Sequence, residues 1–379
     1  MDEFSNPYRP GAGTTPPALL GRDELIKRFT TAAQRAKAER PGKSVMAVGL
    51  RGVGKTVLLN RFSEIAAGEG FDVAFIEATD SGDFATVLAV RLRKILLELD
   101  RGAVSRAVVR ALRVLKSFTL QLPDGSTIHI DPEPLLGEAD SGRLTDDLTD
   151  VLVATGEASR DRGRGLLVAV DEVQYLSEEE LGALIVAVHR TTQLNLPVVV
   201  VGAGLPQLPG LAGEARSYSE RLFTFPEIGS LTDEHARGAI EIPANAAGVR
   251  LEPAAVERIV RASHGYPYFL QEWGYHVWNH ALSSPIPAAD VDAVHALVMA
   301  ALDRDFFRVR LDRLTPKERE YLRAMADLGP GPHRSGDIAA ELGVRVESVV
   351  PRRAGLIRKG MIYSPAHGDT AFTVPLFDE

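Results

Sequence analysis

Gly49-Leu50-Arg51-Gly52-Val53-Gly54-Lys55-Thr56 has the form G-x-x-x-x-G-K-T. Ahead of it, Ser44-Val45-Met46-Ala47-Val48 is an apolar run of strand length. Behind it, Val57-Leu58-Leu59-Asn60-Arg61-Phe62 reads as a helix. Strand, glycine-rich loop and helix in that order form the context in which this motif cradles phosphate. The glycines let the loop wrap so that backbone N–H groups converge on an anion, and the helix start adds its partial positive charge. Lys55 is placed to reach the β- and γ-phosphates, and the Thr56 hydroxyl to bind Mg²⁺. Gly49, Gly52, Val53, Gly54, Lys55, Thr56 and Val57 are therefore the expected nucleotide-binding residues. A chance match in a chain with 34 glycines is the competing reading, and it leaves both flanks unexplained.

A second motif lies downstream. Gly165-Leu166-Leu167-Val168-Ala169-Val170 is continuously apolar, as a strand covered on both faces must be, and it ends in Asp171-Glu172. Alone, this is equally a strand followed by an acidic helix cap. With the phosphate loop upstream it reads as a Walker B pair. Asp171 would hold Mg²⁺ and Glu172 would polarise the attacking water. Gln174 is a weaker candidate for positioning that water or contacting the sensing loop.

Composition sets the outer bounds. The chain has 379 residues, 45% hydrophobic and 25% charged, as in an ordinary globular protein of two or three domains. With no cysteine there is no disulfide, thiolate metal site or cysteine nucleophile. Apolar runs fall short of the roughly 20 residues that span a membrane, and the N-terminal segment lacks a signal-peptide pattern. We expect a cytoplasmic protein without membrane contact. The net charge of −8 argues against coating nucleic acid along the whole chain but allows one basic module.

Between the two motifs, Phe71–Glu77 reads as a strand, and Asp83 to about Asp100 and Val104 to Lys116 as helices. Phe118-Thr119-Leu120-Gln121-Leu122 and Thr127-Ile128-His129-Ile130 then alternate around Pro123-Asp124-Gly125-Ser126. That pattern predicts a β-hairpin inserted at about 117–131. It serves either local packing or contact with a partner or DNA. Helices follow over Leu144–Arg160 and Glu178–Thr192. Leu196-Pro197-Val198-Val199-Val200-Val201-Gly202-Ala203-Gly204 is a further core strand with its turn, and Phe225-Pro226-Glu227-Ile228 an edge strand.

From Leu231 to Leu302 only helical patterns remain, broken at Pro243, Pro253, Gly265-Tyr266-Pro267 and Ser283 to Pro287. Tyr266, Tyr268, Phe269, Trp273 and Trp278 at helical spacing read as core. From Leu314 three short helices precede two strands around Ala366-His367-Gly368-Asp369, which predicts a winged helix-turn-helix. Thr315-Pro316 starts its first helix and Pro351 falls in the first turn of its third, Ser348–Lys359. That third helix carries Arg352, Arg353, Arg358 and Lys359, with Arg345 just ahead. These are the expected phosphate contacts of a DNA-binding version, whereas a protein-binding version would not need them. Residues 303–379 have a slight basic excess, so the chain's negative charge lies elsewhere.

Leu20-Gly21-Arg22-Asp23-Glu24-Leu25, the phosphate loop, Val170-Asp171-Glu172, Ser219-Glu220-Arg221-Leu222-Phe223, Gly265-Tyr266-Pro267 and the winged helix stand in one order. That series resembles the initiator-like (origin-recognition type) AAA+ ATPases and the archaeal-type STAND ATPases, over nearly the whole chain. The resemblance implies an α/β fold: a P-loop NTPase core with a parallel sheet between helices and the hairpin insertion at 1–230, a helical lid at 231–302, and a winged helix domain at 303–379. It implies adenine as the base, with the Pro-rich arm over it and Tyr8 and Arg9 as contacts; a disordered tail is the alternative. It implies that Arg221 reaches a phosphate of a neighbouring subunit in an ATP-dependent homo-oligomer, unless that arginine only braces its loop. It implies that Pro267 senses nucleotide where relatives carry an arginine. The strand ending in Gly202-Ala203-Gly204 departs from the family, which has a polar first sensor there. The expected function is an ATP-binding switch with slow ATPase turnover, with Lys55, Glu172 and Arg221 as catalytic residues. Its partners would be ATP, Mg²⁺ and duplex DNA, or a protein effector bound through winged helix and hairpin.

Overall fold

A computed structural model describes residues 1–11, 13–40, 42–101, 105–120, 133–366 and 368–374. The chain folds as two compact units. One comprises Asp23–Val48 and Leu58–Glu227; the other comprises Met1–Arg22, Gly49–Val57 and Ile228–Glu379.

The first unit is a parallel sheet between helices. Its elements run α1 (Asp23–Lys37), β1 (Ser44–Val48), α2 (Lys55–Gly68, entering the unit at Leu58), β2 (Phe71–Glu77), α3 (Phe84–Leu99), α4 (Arg106–Leu120), α5 (Leu144–Asp161), β3 (Gly165–Asp171), α6 (Glu178–Gln193), β4 (Val198–Gly204), α7 (Leu208–Ala215), α8 (Ser219–Leu222) and β5 (Phe223–Thr224). The strand order is β2-β3-β4-β1-β5, all parallel. Every residue of β1, β3 and β4 is buried, which is why these strands read as unbroken apolar runs. Side chains alternate between faces. Met46, Val48, Val168, Val170, Val198 and Val200 enter the core built by α3 to α7. On α1 and α2, Phe29 and Phe62 stack with ring centroids 4.4 Å apart, and both are fully buried. Each such side chain contributes about 1.5–3 kcal/mol by burial. α6 starts on a capping box: Ser177 Oγ accepts from Glu180 N, and Ser177 N donates to Glu180 Oε2 at 2.9 Å.

Two sequence expectations change here. Phe118, Thr119 and Leu120 close α4 instead of opening a hairpin. All three lie on the helix that buries Val108, Ala111, Leu112 and Leu115 at spacings of three and four, and that longer period outweighs a short alternation. The rest of the expected hairpin, with His129, lies outside the described residues. The edge strand is Phe223–Thr224 on β1, earlier than expected, and only a single bridge, Val48 to Glu227, extends it.

The second unit is mostly helical. α9 (Asp233–Ala246), α10 (Pro253–Ser263), α11 (Pro267–His280) and α12 (Ala288–Ala301) pack on one another. Trp273, Trp278, Phe269 and Tyr266 are buried, as their spacing predicts. α12 continues into a π-helical segment, Leu302–Arg308, and then α13 (Val309–Leu311). The C-terminal module has α14 (Pro316–Asp327), β6 (His333–Arg334), α15 (Ser335–Glu341), α16 (Val346–Arg358), β7 (Ile362–Tyr363) and β8 (Asp369–Phe372). Its strands form an antiparallel sheet in the order β6-β8-β7, the element order of a winged helix. Tyr321, Met325, Ile338, Val349, Leu356 and Ile362 form its core. α16 begins two residues earlier than expected, so Pro351 lies inside it and cannot bond to the Glu347 carbonyl four residues back.

The N-terminal arm joins this unit. Asn6 Nδ2 donates to Tyr275 O and Asn279 Oδ1 of α11, and Trp278 Nε1 donates to Asp2 O at 3.0 Å. Among the described residues, no helix is long and apolar enough to cross a membrane.

Candidate functional site

The phosphate loop follows β1 directly. Gly52 and Gly54 have φ of +84° and +90°, the left-handed region where a side chain is strained. Lys55 is 6% exposed, and its Nζ donates to the carbonyl oxygens of Gly49 at 2.9 Å and Leu50 at 2.8 Å. The loop thus holds its ammonium in place by its own backbone. Lys55 and Thr56 open α2, so their N–H groups belong to the first turn, where no intrahelical acceptor exists. These features fit a polyphosphate: a curled backbone, a helix start and a buried cation with polar partners. Gly13 of the arm lies against the Thr56 side chain.

Residues that bracket the loop came into view only with the structure. Arg22, 9% exposed, donates to Val53 O at 3.3 Å and to Gly229 O at 2.8 Å, and burial lowers the pKa of its guanidinium. Tyr268 N donates to Gly52 O at 3.2 Å, and the Tyr266 hydroxyl donates to Arg51 O. Burial raises the phenol pKa of both tyrosines, so both stay protonated. Phe306 of the π-helical segment stacks on Tyr268 at 4.7 Å, and the Arg310 guanidinium sits 4.2 Å over the Phe306 ring. Arg51 joins the loop to the C-terminal module. Its N–H donates to Thr373 O at 3.0 Å and its Nε to Gly360 O at 3.1 Å. The quoted G-R-D and G-Y-P segments were the available sequence signals for Arg22 and the tyrosines. Arg51 gave none, because it occupies an unspecified motif position.

The carboxylate pair belongs to the first unit. β1 and β3 flank β4 and run the same way, so Val48 and Asp171 close their strands at the same edge of the sheet. Asp171 is 4% exposed, and its Oδ1 accepts from Glu172 N at 2.9 Å. Glu172 has φ of +53°, which a non-glycine residue adopts at a cost of about 1 kcal/mol. Its carboxylate accepts from Gln174 Nε2.

The remaining expected residues fall as follows. Pro267 is the first residue of α11, after Gly265, whose φ is +65° and whose hydrogen side faces Leu231 O. Tyr8 is 3% exposed, wedged against Gly274 and Trp278, and its hydroxyl donates to Ile240 O at 2.6 Å. That makes its ring part of the core of the helical segment. Arg9 N donates to Gln271 Oε1 at 3.1 Å. Arg221 is exposed in the last turn of α8. On α16, Arg353 donates to Thr370 Oγ1, Ser364 Oγ and Asp369 O at 2.7–2.9 Å. Lys359 donates to Glu318 Oε2 at 2.7 Å, and Arg352 lies 3.8 Å from Glu320. Those three hold the module together. Arg345 and Arg358 are exposed.

The sheet, the phosphate loop after β1, and the carboxylates at the end of β3 define a P-loop nucleoside triphosphatase fold. Residues 18–201 match the AAA ATPase domain family. Residues 304–379 match a second family, described as a domain of unknown function, DUF8462. No curated protein matches the chain. Among solved structures, the chain is similar to the Thermotoga maritima RuvB Holliday junction branch migration motor, with 17% identity, coverage of 93% of this chain and 92% of that one, and a TM-score of 0.46. It is similar to the Aeropyrum pernix Orc1 protein in complex with DNA, with 16% identity, 96% and 92% coverage and a TM-score of 0.45. It is also similar to Cdc6p from Pyrobaculum aerophilum, with 13% identity, 100% and 95% coverage and a TM-score of 0.45.

Proposed function

We propose that this protein is an ATP-operated switch of the initiator-like or STAND kind, in which nucleotide at the phosphate loop governs the C-terminal module. The observation that carries this reading is the double hydrogen bond from Arg51, inside the loop, to Gly360 and Thr373 of that module. A ligand that binds one arrangement of the loop better than another shifts the module by that difference in affinity. Lys55 and the loop amides would hold the phosphates, with Thr56 and Asp171 holding Mg²⁺, which would neutralise charge on the phosphates. Glu172 would take a proton from the attacking water as it displaces ADP in line from the γ-phosphorus. Turnover would be slow, since a switch works by occupancy, and the place of work would be the cytoplasm. The three-domain division at 1–230, 231–302 and 303–379 is part of this proposal.

The test combines Lys55→Ala and Arg51→Ala with amide hydrogen exchange. Lys55→Ala should weaken ATP binding by about tenfold or more, the loss of a charge-assisted contact. In the wild type, ATP should change exchange protection over residues 360–374. Arg51→Ala removes the side-chain bond to Gly360 and keeps the backbone bond to Thr373, so it should weaken that response while ATP still binds. A response of wild-type size in Arg51→Ala would sink the coupling.

For the output we propose duplex DNA, read by α16, with exposed Arg345 and Arg358 as its phosphate contacts. Arg345→Ala plus Arg358→Ala should weaken duplex binding in a gel shift and flatten its dependence on salt by about two units of slope. One observation favours a protein partner instead: Val344, Val346 and Val350 are 37%, 44% and 56% exposed at the start of α16. Duplex binding that is absent, or indifferent to salt, would select that second reading.

A further inference from the structure

We propose that Gln174 is the positioning residue for Glu172, supplied by the turn after β3 in place of any polar side chain on β4. The inference rests on the reading of Glu172 as the base that activates water. β4 ends in Val201-Gly202-Ala203-Gly204 and, with Leu205 just after it, offers no side-chain donor or acceptor along that stretch. The 3₁₀ turn Val173–Tyr175 carries Gln174 to that strand end. There the side-chain amide makes two bonds of opposite sense. Nε2 donates to Glu172 Oε2, and Oε1 accepts from Leu205 N at 3.0 Å. The two partners fix the orientation of the amide, because a carboxylate only accepts and a backbone N–H only donates. A flipped amide would set oxygen against oxygen and N–H against N–H.

Gly204 makes this arrangement fit. A Cβ at position 204 would lie 2.9 Å from Gln174 Oε1 and 3.0 Å from Leu208 Cδ2, so a side chain there would displace the amide. The lack of a polar residue on the strand and the presence of Gln174 are thus two sides of one packing solution. Glu172 itself sits in the left-handed region at φ +53°, a conformation that needs surrounding bonds to hold it. Gln174 ties that residue to the backbone just past β4, so the base is held from the end of the sheet.

The experiment is steady-state ATP hydrolysis with parallel equilibrium ATP binding. The variants are Glu172→Gln, Gln174→Met, Gln174→Glu and the double variant Glu172→Gln plus Gln174→Met. Gln174→Met keeps the length of the side chain and removes both hydrogen bonds. Gln174→Glu keeps an acceptor for Leu205 N and sets a second carboxylate against Glu172, so it serves if the methionine variant folds poorly. Both should lower kcat by about tenfold or more and leave KM and ATP affinity within about twofold, since the lost interaction acts on the base and not on nucleotide binding. On the Glu172→Gln background, Gln174→Met should cost nothing further, because residues acting as a unit are non-additive. An unchanged kcat in either folded variant, or a full additional loss in the double variant, overturns the role of Gln174 alone. Wild-type hydrolysis that is absent, or that does not fall in Glu172→Gln, overturns the ATPase reading and this inference with it.

Discussion

A methyl group on Gly49 would run into the carbonyl oxygen of Ile228 and crowd the Val53 side chain. The first glycine of the motif is therefore fixed by a backbone neighbour, whatever it contributes to phosphate binding. Gly49→Ala should destabilise the protein by about 1–3 kcal/mol through overpacking, read as a lower denaturant midpoint without nucleotide. An unchanged midpoint would show that the 228 segment yields freely. At this scale the sequence was legible where a residue type is forced. Glycine at 49, lysine at 55 and aspartate at 171 follow from a motif whose every specified position has a physical reason. It was not legible where a contact joins distant segments. Arg22 meets Gly229 and Arg51 meets Gly360, and no local pattern encodes either meeting. Arg353 and Lys359 show the converse. Both look like phosphate contacts in a list of charges, yet both spend their donors inside the module. Charge is readable from sequence, whereas the partner that consumes it is not.

Among the elements, α14 shows how a helix start can fasten a module. Thr315 and Glu318 form a capping box, with Thr315 N donating to Glu318 Oε2 at 2.7 Å. Lys359, just past α16, donates to the same oxygen. Burial raises the Glu318 pKa, but the bonds from Lys359 and Thr315 outweigh it, so the carboxyl is held below the ordinary glutamate range. The sign of the consequence follows. A depressed folded-state pKa stabilises above the unfolded value of about 4.3 and loses that contribution as pH falls through the folded value. Glu318→Gln should therefore cost about 1–3 kcal/mol near neutral pH, and its melting temperature should fall less than that of the wild type between about pH 5 and 3. Parallel melting curves would refute the assignment. Elements with one clear period were readable from sequence: β3 and β4 by their unbroken apolar runs, α14 by its cap. α4 was cut short because Phe118-Thr119-Leu120 satisfies two periods at once. Only the burial of Phe118 and Thr119, together with Val114 and Leu115 on the same helix, decides between them.

For the whole molecule, the chain order of segments and their grouping differ. The phosphate loop groups with the arm, the helical segment and the C-terminal module, while the carboxylates belong to the sheet unit. Arg221, exposed at the end of α8, is the group that a neighbouring copy could use. If it reaches a phosphate across subunits, mass measured in solution should rise with a non-hydrolysable ATP analogue and not with ADP, and Arg221→Ala should abolish the rise. A mass independent of nucleotide would leave Arg221 to its own loop.

Arg51 stands at one of the positions that G-x-x-x-x-G-K-T leaves open. Both halves of its peptide connection are committed, its N–H to Thr373 and its C=O to Tyr266, while its side chain takes Gly360. On the proposed reading the control point and the chemistry are separately adjustable. The residues proposed to grip phosphate are specified by the motif, whereas position 51, whose side chain meets Gly360, is not. A single codon at 51 could retune how tightly input and output are joined and leave the cradle intact.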